Sequence, residues 1–129
     1  MAKNKTNYVD GFVLMIPNDK LDAYKKMAKW GSKIWMKHGA LDYKECMGDD
    51  LNPHMGDESC LTFTDMLNIK KDQTVWFSYI TFKSRKHRDQ VNKKVMKEMD
   101  KDAAKYKDLP MPFDPKNMAY GGFKVVVSG

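Results

Sequence analysis

The chain has 129 residues, 42% of them hydrophobic and 31% charged, which suits one domain with a modest core and excludes a disordered or fibrous protein. Its net charge of +6 raises the question of nucleic acid, but nearly all the cations are lysines spread along the chain, which argues against such a partner. The absence of a long apolar run excludes a signal peptide and a membrane span, and two cysteines indicate a cytoplasmic protein with free thiols.

The first half of the chain predicts a strand, a helix and a second strand. Apolar residues from Tyr8 to Ile16 show little helical spacing and indicate a strand. Asn18 and Asp19 then offer N-caps to a helix from Leu21 to His38, in which apolar or small residues recur every three or four positions. Alternation of apolar and polar residues from Leu41 to Met47 predicts the second strand.

The second half predicts a long loop, a strand, a helix and a last strand. Glycine, proline and acidic residues mark the loop over 48–72, with a short strand or turn around Leu61 to Phe63. The stretch from Thr74 to Phe82 is β-branched and aromatic, as in a strand covered on both faces. An amphipathic helix runs from Arg85 to Met99, and Met118 to Val127 ends the chain as a strand.

The predicted order is therefore β-α-β-β-α-β, a ferredoxin-like α+β sandwich over residues 1–129 with a frayed terminus at 1–7. In that arrangement an antiparallel sheet carries both helices on one face. Gly121 and Gly122 in the last strand predict a bulge or the close approach of another backbone. The second face of the sheet must be covered, so we expect a homodimer that pairs through its sheets.

Five segments of the chain resemble a bacterial YbaA-like family of unknown function. They are Tyr8-Val-Asp-Gly-Phe, Trp35-Met-Lys-His-Gly-Ala-Leu-Asp-Tyr, Lys83-Ser-Arg-Lys-His-Arg-Asp, Met111-Pro-Phe-Asp and Tyr120-Gly-Gly-Phe. The resemblance spans residues 8 to 127 and implies the dimeric α-β barrel fold, with no established catalytic residues to carry over. The wider superfamily includes cofactor-free monooxygenases, isomerases, haem enzymes and ligand sensors, so the fold by itself indicates no single reaction.

Both arginines of the chain lie at the predicted start of the second helix. Arg85, His87 and Arg88 follow Ser84 there, where free backbone N–H groups and the helix dipole favour negative charge. This arrangement predicts a site for a carboxylate, a phosphate or an enolate. The alternative is that Arg88 pairs with a nearby aspartate and the remaining side chains are solvated.

Two residues are candidates for a proton acceptor. His38 ends the apolar stripe of the first helix, where it is either a general base or a cation that complements the helix dipole. Asp10 shares a strand face with Tyr8 and Phe12, and a carboxylate facing the interior needs a partner.

The sequence predicts neither a metal nor a cofactor. Cys46, His54 and Cys60 have spacings that fit no compact zinc motif. The chain also contains no Gly-rich phosphate loop, nucleophile elbow or dinucleotide-binding fingerprint.

These patterns predict a homodimer that binds a small, anionic, partly apolar molecule in a pocket between helices and sheet. Tyr43, Trp76 and Tyr79 would provide its apolar walls, and His38 or Asp10 the proton acceptor of a cofactor-independent oxygenase or isomerase. The first alternative is a noncatalytic module that senses a metabolite through the same pocket. The second alternative is an RNA-binding dimer that uses its lysines.

Overall fold

Four strands and three helices make up the part of the chain that the computed structural model describes, residues 5–53, 60–106 and 111–129. The strands are β1 (Tyr8–Pro17), β2 (Asp42–Met47), β3 (Gln73–Phe82) and β4 (Met118–Lys124). The helices are α1 (Leu21–Lys37), α2 (Phe63–Leu67) and α3 (Arg85–Tyr106). Short 3-10 turns cover Asn18–Lys20 and Pro115–Asn117.

The four strands form one antiparallel sheet in the order β2-β3-β1-β4. Asp10 of β1 lies opposite Ile80 of β3 on one side and Gly122 of β4 on the other. Ser78 of β3 lies opposite Glu45 of β2. Because side chains alternate along a strand, this register decides which residues share a face.

Both long helices cover the same face of the sheet. Ile80 and Phe82 of β3 pack in one core cluster with Ile34 of α1 and with Val91 and Val95 of α3. A second cluster combines α1 with the sheet through Leu14, Ile16, Tyr24, Ala28 and Trp76. We call this side the helix face, and the opposite side of the sheet the open face.

The predicted α+β class and the order of the main elements are confirmed, with one helix added. Residues predicted as a short strand or turn instead begin α2, whose first turn is capped by the Thr62 hydroxyl, 3.0 Å from the Asp65 backbone nitrogen. A polar N-cap of this kind satisfies a free backbone N–H, which stabilises even a single helical turn.

Two local predictions are wrong. Asn18 and Asp19 lie in the 3-10 turn before α1 and give it no side-chain cap; the Asn18 side chain instead accepts a hydrogen bond from the Thr74 hydroxyl at 2.6 Å. The β1–β4 register continues through Gly122 without a bulge. A side chain rather than a backbone comes close there, because a methyl group on Gly122 would overlap the ring of Tyr8.

Some predictions concern residues outside the described ranges. The frayed terminus predicted over residues 1–7 is described only from residue 5 onward, and the long loop is described except for residues 54–59, which include His54. In the described part of the chain, none of the helices combines the length and the apolarity that crossing a membrane requires.

Candidate functional site

Arg88 points from α3 toward the sheet and is bound by two carboxylates. The helix begins after Ser84, whose hydroxyl accepts the His87 backbone N–H at 3.0 Å. Arg88 then donates from Nη1 to Asp10 Oδ1 at 2.7 Å and from Nε to Asp89 Oδ1 at 2.8 Å. Its guanidinium is therefore neutralised within the fold, as the alternative in the sequence analysis anticipated.

Asp10 is 1% exposed and lies in the centre of a polar network. The Tyr120 hydroxyl donates to its Oδ2 at 3.2 Å, and the Asn92 amide donates to the same oxygen at 3.4 Å. Burial raises the pKa of Asp10, while the charge of Arg88 and these hydrogen bonds oppose that rise. Arg88 also lies over the Tyr8 ring, 5.1 Å from its centre. Asp10 thus belongs to a buried ion pair, which limits its use as a base.

The structure does not bring Arg85, His87 and Arg88, the side chains of the predicted anion site, together around one space. Arg85 is exposed on the outer face of α3, where it lines a groove of about 460 Å³ with Lys86, Asp89, Gln90 and Lys93. His87 accepts the Lys83 backbone N–H at Nδ1, at 2.9 Å, and its ring packs edge-on against Phe82. Burial lowers the pKa of His87, as does the charge of Lys83. Arg88 points inward instead, so the three side chains face different surroundings.

His38 forms a link between the two long helices. Its Nε2 lies 2.9 Å from Glu98 Oε1, which also accepts the Lys37 ammonium at 2.8 Å. Lys37 and His38 lower the pKa of Glu98 by hydrogen bonding to its carboxylate. This contact ties the end of α1 to α3.

The three predicted aromatic walls lie on two faces of the sheet. Tyr43 and Trp76 are on the helix face: Tyr43 is opposite Ile80, and Trp76 belongs to the core cluster with Tyr24. Tyr79 is on the open face, because it neighbours Ile80 along β3 and side chains alternate. One pocket on either side of the sheet therefore cannot use all three rings.

The helix face contains a second polar network, centred on Glu45. Its Oε1 accepts the Tyr43 hydroxyl at 2.9 Å, and its Oε2 accepts the Tyr24 hydroxyl at 2.8 Å together with the Ser78 hydroxyl. None of the ion pairs in the described ranges involves this carboxylate. We call Glu45, Tyr43, Tyr24 and Ser78 the Glu45 cluster. The cluster joins α1, β2 and β3.

A glycine of α1 and several aromatic rings pack around the Glu45 cluster. Gly31 is buried above the Tyr43 hydroxyl, since a methyl group there would lie 3.2 Å from that oxygen. Tyr24 packs edge-on against Trp76, at 5.0 Å between ring centres, and against Phe113, at 5.8 Å. Burial, and then the charge of the neighbouring carboxylate, raises the pKa of Tyr24 and of Tyr43. Both phenols therefore stay protonated and act as hydrogen-bond donors.

Trp76 contributes an unsatisfied donor to the same region. The residue is 4% exposed, and its indole Nε1 has no hydrogen-bond partner in the part of the chain that the structure describes. Leaving a buried donor unpaired costs about 1–3 kcal/mol. A ligand or water oxygen within reach of this donor would remove that cost.

Sequence reasoning missed Glu45, Tyr24 and Ser78. One signal for Glu45 was present, because the alternation in β2 placed a carboxylate on the same face as Tyr43 and Met47. Tyr24 belongs to the apolar stripe of the first helix, and this position predicts a core residue rather than a member of a polar site. Nothing in the sequence linked Ser78, 33 residues away, to Glu45.

The open face carries an apolar groove of about 430 Å³. Phe77 and Phe123 are 46% and 61% exposed there. Gly11 and Gly121 are directly paired across β1 and β4, and the Phe123 ring lies over both, since a methyl group on either would be 3.3 or 3.6 Å from its Cε2 atom. Among the lining residues are Val9, Gly11, Val13, Phe77, Tyr79, Ala119, Gly121 and Phe123. This groove and the Glu45 cluster lie on opposite sides of the sheet.

The described residues hold no group of three or more histidine, cysteine, aspartate or glutamate side chains placed to bind a metal ion. Cys46 and Cys60 are both exposed and free.

Comparisons with known proteins identify relatives over nearly the whole chain. Residues 7–115 match a family model described as a protein of unknown function, DUF1428. The chain is 36% identical over 122 residues to the uncharacterized protein YbaA of Escherichia coli strain K12, an alignment that covers 93% of this chain and 97% of that protein. The YbaA proteins of Escherichia coli O157:H7 and of Shigella flexneri match equally well.

Proposed function

Since this chain belongs to the DUF1428 family, whose description gives no activity, we propose from its own residues that it is a homodimer that binds a small, partly apolar molecule beside the Glu45 cluster. The observation that carries the proposal is the cluster itself, a partly exposed carboxylate surrounded by three hydroxyl groups and by aromatic rings. Convergent polar groups in an apolar setting are typical of small-molecule sites.

The chemistry of the cluster favours an uncharged ligand with a hydroxyl or carbonyl oxygen. Glu45 would repel an anion, and Arg88, the cation expected to attract one, is held by Asp10 and Asp89. Tyr43 is partly exposed, and its hydroxyl, which donates to Glu45 Oε1 in this structure, can turn to donate to a ligand oxygen instead. We therefore replace the anionic ligand expected from the sequence with a neutral one.

Quenching of tryptophan fluorescence tests this binding, with 4-nitrophenylacetone as the probe. This ketone combines an apolar ring with a carbonyl oxygen, and its nitro group quenches indole emission. Saturable quenching is expected, because Trp76 and Trp35 both lie beside the tyrosines of the cluster. Tyr43→Phe should weaken binding about tenfold, the effect of one lost hydrogen bond.

Tyr79→Phe is the matched control, since it removes the same hydroxyl from the open face and should leave the affinity unchanged. The reverse pattern, in which Tyr79→Phe weakens binding and Tyr43→Phe does not, would place the ligand in the open-face groove. That result, or a lack of saturable quenching, would contradict the proposal.

The exposed open face supports the homodimer. Phe77 and Phe123 remain exposed on this face, and with Val9 and Val13 they line its apolar groove. An apolar sheet face of this kind can pair with a second copy of itself about a twofold axis, and two sheets pack about 10 Å apart. We propose that two ferredoxin-like subunits stack in this way as a dimeric α-β barrel.

Sedimentation velocity tests the dimer. The wild-type protein should sediment at twice the 15.0 kDa mass of the chain at micromolar concentration. Val13→Lys places a charge in the middle of the open face and should give monomers, because an unpaired buried charge is strongly unfavourable. Gln90→Lys adds the same charge to the exposed surface of α3 and should leave the dimer intact. A monomeric wild-type protein would overturn this part of the proposal.

A further inference from the structure

We propose that Glu45 is a catalytic base that removes a proton from carbon in an uncharged carbonyl compound with an acidic C–H bond next to the carbonyl group. The inference rests on the proposed function, because the substrate must first bind beside the Glu45 cluster. The reaction class is enolisation or the shift of a double bond, which needs no cofactor.

The hydrogen bonds assign the reacting oxygen within the carboxylate. Among the residues that the structure describes, Oε2 accepts two hydroxyls, from Tyr24 and Ser78, whereas Oε1 accepts only the Tyr43 hydroxyl. A carboxylate oxygen has two acceptor sites, so Oε1 keeps one free for a proton. Glu45 and Tyr43 are both partly exposed, and both lie on the edge strand β2.

The surroundings of Glu45 suit a base better than those of the other candidates. Asp10 is bound by Arg88, and the Glu98 carboxylate beside His38 is bound by Lys37. A cation at hydrogen-bond distance stabilises the charged form of a carboxylate and weakens it as a base. Glu45 instead has neutral hydroxyl donors within the described ranges, and these orient the carboxylate without adding a positive charge.

The step balances without an external oxidant or reductant. Glu45 Oε1 takes the proton from the carbon next to the carbonyl group. The C–H electron pair becomes the C=C bond, and the carbonyl π pair moves to oxygen to give an enolate. The Tyr43 hydroxyl can donate to that oxygen once the protonated Glu45 no longer attracts it. Return of the proton from Glu45 to the same or another carbon completes the cycle.

The roles within the cluster then differ. Glu45 and Tyr43 are the catalytic residues, because they contact the reacting proton and the developing oxyanion. Tyr24 and Ser78 are positioning residues that hold Oε2 and so fix the direction of Oε1. The T-shaped contact of Tyr24 with Trp76 keeps that phenol in place.

Hydrogen exchange in D₂O tests the inference with 4-nitrophenylacetone, whose benzylic CH₂ signal disappears from the proton NMR spectrum as deuterium enters. The wild-type protein should accelerate this exchange, and Glu45→Gln should lower the protein-dependent rate by about 100-fold or more. Tyr43→Phe should lower it about tenfold. Glu98→Gln is the matched control, with the same chemical change beside His38, and should exchange at the wild-type rate.

Glu45→Asp provides a second variant that keeps the charge and withdraws the carboxylate by one methylene group; its exchange should fall at least about tenfold, since base catalysis depends on precise placement. Saturable fluorescence quenching without Glu45-dependent exchange would overturn the catalytic inference and leave the proposed binding intact. Loss of exchange in Glu98→Gln would show that the base belongs to the His38–Glu98 pair, and this result would also overturn the catalytic inference. Absence of quenching would remove the proposed function and the inference together.

Discussion

Replacing Asp10 by alanine is expected to lower the free energy of unfolding by about 4 kcal/mol, because it removes the buried carboxylate that compensates Arg88, while the Asp89 carboxylate that remains is exposed. Asp10 is 1% exposed and accepts the Arg88 guanidinium at 2.7 Å. The substitution also removes the acceptor for the Tyr120 hydroxyl and the Asn92 amide. Urea denaturation followed by circular dichroism measures the loss at constant protein concentration.

A double variant separates the cost of the unpaired charge from the value of the pair. Asp10→Val with Arg88→Met replaces both partners by apolar groups and should recover most of the lost stability. Asp42→Ala is the surface control: its partner Lys44 is exposed, so the change should stay within about 0.5 kcal/mol. A double variant no more stable than Asp10→Ala would show that the network stabilises through its hydrogen bonds rather than through charge compensation.

Phe82→Ala is expected to lower the free energy of unfolding by about 4 kcal/mol, as large-to-small changes at fully buried aromatic positions do. Phe82 is 0% exposed at the end of β3, in the cluster where Ile34 of α1 meets Val91 and Val95 of α3. Its removal opens a cavity at the junction of both helices with the sheet. Denaturation under the same conditions measures the change.

The control for Phe82 is Phe63→Ala in α2, since that ring is 43% exposed and loses less apolar contact. A change of less than about 1 kcal/mol is expected there. If Phe82→Ala cost no more than Phe63→Ala, the helices would not be anchored to the sheet through this cluster, and the assignment of the helix face would be wrong.

The periodicity of the sequence predicted the main elements well. Long stretches with one dominant period, such as Gln73–Phe82 and Leu21–Lys37, were found within a few residues of their observed ends. Short elements such as α2 were missed, because a single turn depends on one cap at Thr62 rather than on periodicity. Gly122 was singled out, but the residue that comes close to it is a ring from another strand, which local sequence does not reveal.

The candidate site was predicted less well, because its members are distant in the chain. Asp10 and Arg88 were each singled out, but the sequence did not reveal the contact between them, which spans 78 residues. Because Asp10 neutralises Arg88, that arginine does not form the anion site expected from the sequence. Tyr43 was predicted to form a pocket wall, whereas its hydroxyl donates a hydrogen bond to Glu45, two residues away. A hydrogen bond constrains positions to a few tenths of an ångström, a precision that periodicity does not provide.

The sequence by itself determined the class of fold and the order of strands and long helices, because these follow from local periods of 2 and 3.6 residues. The resemblance to a family of unknown function was also recognisable from the sequence, and the family match establishes it. Only the tertiary structure decided which charges are neutralised and which remain available. Arg88 is paired and Glu45 is left with neutral donors because strand register and helix packing, not neighbours in the chain, set the distances between these groups.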